Sequence, residues 1–462
     1  MIPEVIMLDF LKRFKKAKTF KELFNIMTWK DIDVLAAIPV FLFMISPVIF
    51  FWQITFIKTW RYEITVSSLR MVTVVFAIIV MTSELAKQYL SGSSLKKIIE
   101  DHIPHMLFLI MSVLVLVSTF INGFTVEAMS GDHYRNESSF AFISYFLCFF
   151  SCASAIRFER TKKILLNSFL ISGSFTSITA LLDLSGIISI WHFHADQKPD
   201  TLTSVFYHYN HFGYFLALAV TISFALCLSE KKVIPRILYF LSLALHTVTL
   251  IINNTRGCYL ACLGAMIVTF IVFAKTGKIK LKTFLPALAV LIAAVVTGFL
   301  ADPGNLRRFM ILFRDVSDIS SSAVSGNAGE ISGNAGNGRM LLWRLTCEAI
   351  IQKPVFGWGT DGIRVMLALN SIDGNNRPHN EFLQYAAFYG IPAALIYVSA
   401  LVSIYFRACR RLSKLPAVAV AALLAGVAYL ISSCFGNTMF YTAPFLFILL
   451  GLGFRTEDKE CS

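Results

Sequence analysis

Apolar runs long enough to cross a bilayer recur from one end of this chain to the other. Residues 104–124, PHMLFLIMSVLVLVSTFINGF, contain no Asp, Glu, Lys or Arg. About 20 apolar residues in a helix span a hydrocarbon core of ~30 Å. Within hydrocarbon each backbone N–H and C=O needs a partner inside the chain, so such runs fold as helices. Twelve of them can be read, at approximately 34–57, 66–84, 104–124, 138–156, 164–188, 206–228, 234–252, 256–274, 283–301, 391–406, 417–435 and 438–454. A composition of 56% apolar and 15% charged residues agrees with this reading. The expectation is an all-α polytopic membrane protein with about 12 transmembrane helices.

The net charge of +13 would suit nucleic acid if the basic residues gathered on one soluble face. Instead they fall in short clusters between the apolar runs, such as RFERTKK, SEKKVIPR, AKTGKIKLK and RACRRLSK, so no nucleic-acid partner is expected. Counted over alternate connections, 27 Lys and Arg lie on the side of the N-terminus and 13 on the other. Cytoplasmic loops carry the excess, which predicts both termini inside the cell. The chain then divides into a basic N-terminal segment (1–33), nine spans (34–301), a large external loop containing short helices (302–390), three spans (391–454) and a short tail (455–462). The first apolar run is too long for a signal-peptide core and is expected to stay as a span. Cysteines 148, 152, 227, 258, 262 and 434 lie in or beside apolar segments without CxxC spacing, which suits packing rather than disulfides or metal.

A connection as long as 301–390 usually carries function. Within it SDISSSAVSGNAGEISGNAGNG, residues 317–338, repeats SGNAG and is too polar to bury a core. RMLLWRLTCEAII, residues 339–351, places Met340, Trp343, Cys347 and Ile351 at helical spacing before Lys353-Pro354 stops the run. A glycine-rich turn, VFGWGTDG, follows, and then RPHNEFLQYAAFYGIPA from Arg377 to Ala393. Here Pro378 suits the first position of a helix, which puts His379 in the first turn. Phe382, Tyr385, Ala386 and Tyr389 share a face, Gly390 ends the helix and Pro392 opens the next span. An interfacial helix near the outer leaflet is predicted.

Several residues invite a chemical role. Arg256, in NNTRGCYL, stands at a membrane boundary on the side where basic residues are scarce. Position alone suits snorkelling to lipid headgroups equally well, but a guanidinium fork also matches phosphate. Arg339 and Arg344 pose the same choice between a solvated helix face and anion binding. Tyr207, His208, Asn210 and His211 open the sixth span and fit an interfacial belt or a sugar-binding lip. Asp183 and His246 fall within spans and Arg70 near a span end, with no role assigned. His379 is either a surface histidine or a general base, since an imidazole pKa of about 6.5 leaves it neutral enough to take a proton from a sugar hydroxyl. Free N–H groups at the start of its helix would draw an anion to the same place. Asp31-Ile32-Asp33 imitates a metal-binding DxD, but too few residues precede it for a nucleotide-binding domain. Asn253-Asn254-Thr255 and Asn136-Glu137-Ser138 match the glycosylation pattern only weakly. No metalloprotease, Walker or serine-hydrolase motif is present, and neither a cofactor nor a metal site is expected.

Arg256 in NNTRG, Arg339 ahead of KPVFGWG, and His379-Asn380 followed by nine residues and Gly390 together resemble the O-antigen ligase and O-antigen polymerase superfamily. The likeness covers most of the chain, although Ala393 stands where the family motif has Gly, Thr or Tyr. The resemblance implies inverting, metal-independent glycan transfer at the outer face of the cytoplasmic (inner) membrane. The donor would be a glycan on undecaprenyl diphosphate, and the acceptor a hydroxyl of a glycan or glycolipid. By analogy His379 would activate the acceptor, Arg256 and Arg339 would hold the diphosphate, and Asn210, Arg344 and Asn380 would bind substrate. A polymerase joining lipid-linked repeat units is the alternative within the superfamily. A polysaccharide flippase is the alternative outside it, although it would favour internal repeats and need no long loop with a histidine.

Overall fold

A computed structural model describes residues 19, 22, 27–57, 62–90, 92, 94–131, 137–188, 190, 202–206, 208–277, 281–307, 310, 339–360, 362–363, 367, 377–437 and 440–455. Over these the chain is helical, with no strand among the described residues. In order the helices are α1 (Trp29–Met44), α2 (Ser46–Trp52), α3 (Tyr62–Leu90), α4 (Leu95–Asp101), α5 (Ile103–Ile121), α6 (Val126–Ser130), α7 (Ser139–Ala155), α8 (Glu159–Leu184) and α9 (Tyr209–Ser229). There follow α10 (Val233–Asn253), α11 (Arg256–Lys275), α12 (Leu281–Ala301), α13 (Arg339–Gln352), α14 (Glu381–Tyr389), α15 (Ile391–Arg410), α16 (Ala417–Ser433) and α17 (Ala443–Phe454).

Seven of these helices (α5, α8, α9, α10, α11, α12 and α15) are long and apolar enough to cross a membrane. The pair α1 and α2 makes an eighth if counted as one span, bent by 49°. The bend follows Ile45, just ahead of Pro47, whose missing N–H cannot continue the α1 hydrogen-bond ladder. Met71–Ala86 within α3, together with α7, α16 and α17, are shorter apolar helices. Each of the twelve apolar runs read from sequence thus coincides with helix, but four of them are shorter than an ordinary crossing.

At the centre stands α9, buried at every position from Phe212 to Leu228. A helix that is apolar all round must be surrounded, and α10, α11, α16 and α8 enclose it. Small residues on α16, AVAVAALLAG, let it approach both α9 and α11. Outward faces of the peripheral helices carry large exposed apolar side chains such as Leu109, Leu241, Leu263, Ile292 and Val402. Such a surface suits a hydrocarbon surround rather than water.

One end of the bundle is tied by a polar network that accounts for the DxD look-alike. Asp31 and Thr28 form a reciprocal capping box at the start of α1. Asp33 accepts from the N–H groups of Arg157 (2.7 Å) and Phe158 (3.2 Å) and from the Thr161 hydroxyl. Glu84 pairs with Arg157 at 3.2 Å, with Arg455 and with His102, which joins α3, α5 and the exits of α7 and α17. Both aspartates therefore serve chain packing. His246 lies fully buried between Ser174 (3.3 Å) and Ser223 (3.4 Å), and the Asp183 carboxylate accepts from the Ile190 N–H at 2.8 Å. Among the described residues the eight cysteines form no disulfide, and five of them are buried. The repeated SGNAG stretch, Tyr207, Asn136 and the side chain of Arg70 lie outside the described residues.

Candidate functional site

The motif His-Asn-x9-Gly has a direct structural meaning: its nine intervening residues are the helix α14. Asn380 is the N-cap, its side-chain oxygen accepting from the Leu383 N–H at 3.1 Å, and Gly390 is the C-cap. Pro378 is therefore not the first helical residue, and His379 stands outside the helix rather than in its first turn. The reason is the cap, since Asn380 outcompetes proline as a helix start by supplying a partner to an otherwise unpaired N–H. His379 takes a left-handed backbone (φ +50°), and its N–H donates to Asn437 Oδ1 at 2.8 Å. The Asn380 amide donates to the Cys434 carbonyl at 3.3 Å. Both contacts dock this segment onto the turn that follows α16.

Contrary to the interfacial helix expected, α14 is mostly interior, with Glu381, Gln384 and every residue from Tyr385 to Tyr389 buried. It lies against α15, α13 and α5. The Glu381 carboxylate accepts from the Tyr397 hydroxyl at 2.6 Å, and Tyr397 stacks on Tyr385 with ring centroids 4.2 Å apart. The turn KPVFGWG is threaded against the end of α14: the Trp358 N–H donates to Ala387 O (2.9 Å) and the Ile391 N–H to Pro354 O (2.7 Å). Ser118 and Asn122 of α5 hold the same turn through carbonyls of Phe356, Phe388 and Gly357. Ala393, the departure from the family motif, is fully buried near the start of α15.

The α10–α11 turn meets this region from the other side. Asn254 (φ +62°) reverses the chain, and Arg256 becomes the first residue of α11. The buried Asn253 amide donates to the carbonyls of Leu202 (2.6 Å) and Tyr209 (3.0 Å), and the Thr255 hydroxyl donates to Asn253 Oδ1 (2.6 Å). The glycosylation-like triplet is thus a clamp on the start of α9. There Gly213 leaves room for Thr255, whose Oγ1 would lie 2.5 Å from an added Cβ. His208 caps α9 by accepting from the Asn210 N–H at 3.1 Å, and His211 stacks on Tyr441 at 4.9 Å. The Tyr214 hydroxyl donates to Ser432 O at 2.7 Å. The start of α9, the start of α11 and the His379 segment accordingly share one set of neighbours, Ser432 to Asn437, with Tyr441 against the start of α9.

Arg339 opens α13 and is half-buried beside this group. Burial holds its pKa below the ordinary guanidinium value, and the positive charge of Arg256 pushes the same way, opposed by the nearby Tyr214 and Tyr209. Guanidinium remains charged at neutral pH even so. Among the described residues neither Arg256 nor Arg339 forms an ion pair with a carboxylate. Two cations within electrostatic reach in a half-buried place repel, and a multivalent anion between them relieves that repulsion. Arg344 lies apart: its side chain is 75% exposed and its Nε is 3.0 Å from Glu348, one helical turn on. The packed face of α13 is Leu342, Thr346, Ala349 and Ile350, whereas Cys347 and Ile351 of the spaced set point outward.

The fold therefore brings Arg256, Arg339, Asn210, His379 and Asn380 to one end of the bundle and leaves Arg344 outside it. Asn437, which holds His379, was not legible, because a lone asparagine 58 residues downstream carries no local signal. Among the described residues no three His, Cys, Asp or Glu side chains gather to hold a metal ion.

These features define a class: a polytopic helical membrane protein with a doubly cationic, histidine-bearing site at one end of its bundle. Residues 241–398 match the family model described as O-Antigen ligase, a stretch that runs from within α10 to the first turns of α15. The match covers about a third of the chain and supports a place in the O-antigen ligase and polymerase superfamily, whose members are membrane glycosyltransferase-like enzymes. No curated protein matches the chain.

Proposed function

We propose that the protein is an inverting, metal-independent glycan transferase that uses an undecaprenyl-diphosphate-linked donor and a sugar-hydroxyl acceptor. In this reading all twelve apolar segments cross the inner membrane, and the site faces outward. The observation that carries it is the placement of Arg256 and Arg339 within each other's field, without carboxylate partners among the described residues, beside the segment of His379.

Neutral His379 takes the proton of the acceptor hydroxyl as its oxygen attacks the anomeric carbon. The bond from that carbon to the diphosphate oxygen breaks on the opposite face, which inverts the configuration. Negative charge then builds on the departing diphosphate, and the two guanidinium forks receive it. Each such cation would contribute roughly 2.7 to 4 kcal/mol to the transition state, by comparison with loss of one oxyanion donor. Asn210 and Asn380 lie toward the same end of the bundle and in this reading would bind substrate, Asn380 while also capping α14, whereas Arg344 would do so only by moving off Glu348.

The test uses purified protein in liposomes with lipid-linked repeat units. His379→Ala and Arg256→Ala are expected to insert and fold but to transfer no glycan, and full activity in both would overturn the mechanism. Product length separates the two superfamily activities. Long lipid-linked chains from repeat units alone mean polymerase, and transfer only after a second acceptor is added means ligase.

A further inference from the structure

Two residues ahead of the histidine, Arg377 is the largest fully buried side chain of the described chain, at 1% exposure. Its Nε donates to Glu137 Oε2, and its Nη2 reaches the same carboxylate, whose side chain is only 7% exposed. The guanidinium also lies 5.8 Å from the ring centroid of Phe388 on α14. Glu137 is itself fixed, because the next residue, Ser138, caps α7 by accepting from the Ala141 N–H at 3.1 Å, and Ser139 is hydrogen-bonded to Thr119 of α5. The ion pair thus bolts the segment before α14 to the junction of α5 and α7.

Pro378 has no N–H to give, and His379 is left-handed, so neither residue belongs to a helical ladder. Downstream, Asn437 and the Asn380 cap fasten it. Upstream, the fastening seen among the described residues is Arg377 with Glu137. A buried ion pair is weak evidence for stability, since apolar residues of similar size often serve as well. It is much better at fixing direction, because the guanidinium fork accepts one geometry.

We infer that Arg377 and Glu137 are positioning residues that set the orientation of the His379 imidazole toward the acceptor. The inference rests on the reading of His379 as the base. A carboxylate on the loop before α7 thereby controls the rate of a reaction whose reacting groups lie on other elements.

Four variants test it in the liposome assay, each with kcat, donor KM and unfolding midpoint measured. Glu137→Gln and Arg377→Lys are expected to lower kcat at least tenfold while donor KM stays within twofold. The double variant Glu137→Leu with Arg377→Met removes both charges together, so it is expected to fold with a wild-type midpoint and still lose kcat tenfold. His379→Ala is run in parallel. Wild-type kcat in the folded double variant overturns the positioning role, as does a fall in kcat that merely follows the unfolding midpoint. Activity retained in His379→Ala overturns instead the reading of the base, which separates the two failures.

Discussion

Gly390 offers a sharp test of how the site is built, because the structure contains its own control. Gly390 has φ +92° and ψ 166°, and a Cβ added there would lie 2.0 Å from Val355 O, 2.4 Å from Val355 C and 2.9 Å from Phe356 N. All three are backbone atoms, so no side chain can swing away. Gly123 has nearly the same φ, +96°, but nothing within 4 Å of the added Cβ. Forcing alanine into such a backbone region costs about 1–3 kcal/mol at either site. At Gly390 the KPVFGWG turn must also retreat by about 1 Å, which breaks the Ile391-to-Pro354 or Trp358-to-Ala387 hydrogen bond at about 1–3 kcal/mol each. Gly390→Ala should therefore destabilise by about 2–6 kcal/mol and Gly123→Ala by no more than about 3. The assay is unfolding in a denaturing-detergent titration. Any Gly390→Ala that folds should also lose about a hundredfold in kcat, the usual effect of a 1 Å displacement of a catalytic group. Equal destabilisation by the two substitutions would refute the packing argument.

Three further outcomes are expected. His379→Gly should be inactive yet more stable than His379→Ala by about 1 kcal/mol, because glycine accepts φ +50° without strain; added imidazole should restore part of its transfer rate, and no response in rate or stability would count against the geometry. Arg339→Lys should keep partial activity at neutral pH. The same burial and the same Arg256 charge that lower the arginine would lower a lysine below its ordinary value of about 10.4, so its activity should already fall at a pH below that value while wild type holds. Chelator should leave turnover unchanged, and loss of activity reversed by Mg²⁺ or Mn²⁺ would reveal metal dependence.

What the sequence made legible divides along the range of the forces involved. Helices were readable because apolar runs and caps act over a few residues: all twelve runs fall on helix, and Gly390 and Pro392 end one helix and begin the next as their chemistry requires. Helical spacing located α13 correctly without revealing its buried stripe, which is Leu342, Thr346 and Ile350. Periodicity misled on α14, because a helix with aromatic residues looks amphipathic whether it lies on a surface or inside. Arg256 stood out as a cation on the side expected to be poor in cations, whereas Arg339 was singled out only through the superfamily resemblance. What holds the His379 segment and the α10–α11 turn was hidden. Asn437, Tyr209 and Glu137 are ordinary residues far away in sequence, and their meaning arises only when α5, α7, α9 and α16 converge.

That division bears on how the site can evolve. The proposed reacting groups sit on short motifs, but left-handed His379 is hydrogen-bonded to a side chain on the turn after α16, and its segment is anchored upstream to a carboxylate before α7. Gly390 and Gly357 must stay small because two backbones cross there; Gly357's added Cβ would meet Phe388 C at 2.5 Å. The nine-residue spacing is fixed for the same reason. Inserting one residue into α14 would turn Gly390 by about 100° around the helix, away from Val355, and would unseat the turn that holds it. Substitutions at Arg344, exposed and among the described residues ion-paired only along its own helix, meet no such constraint.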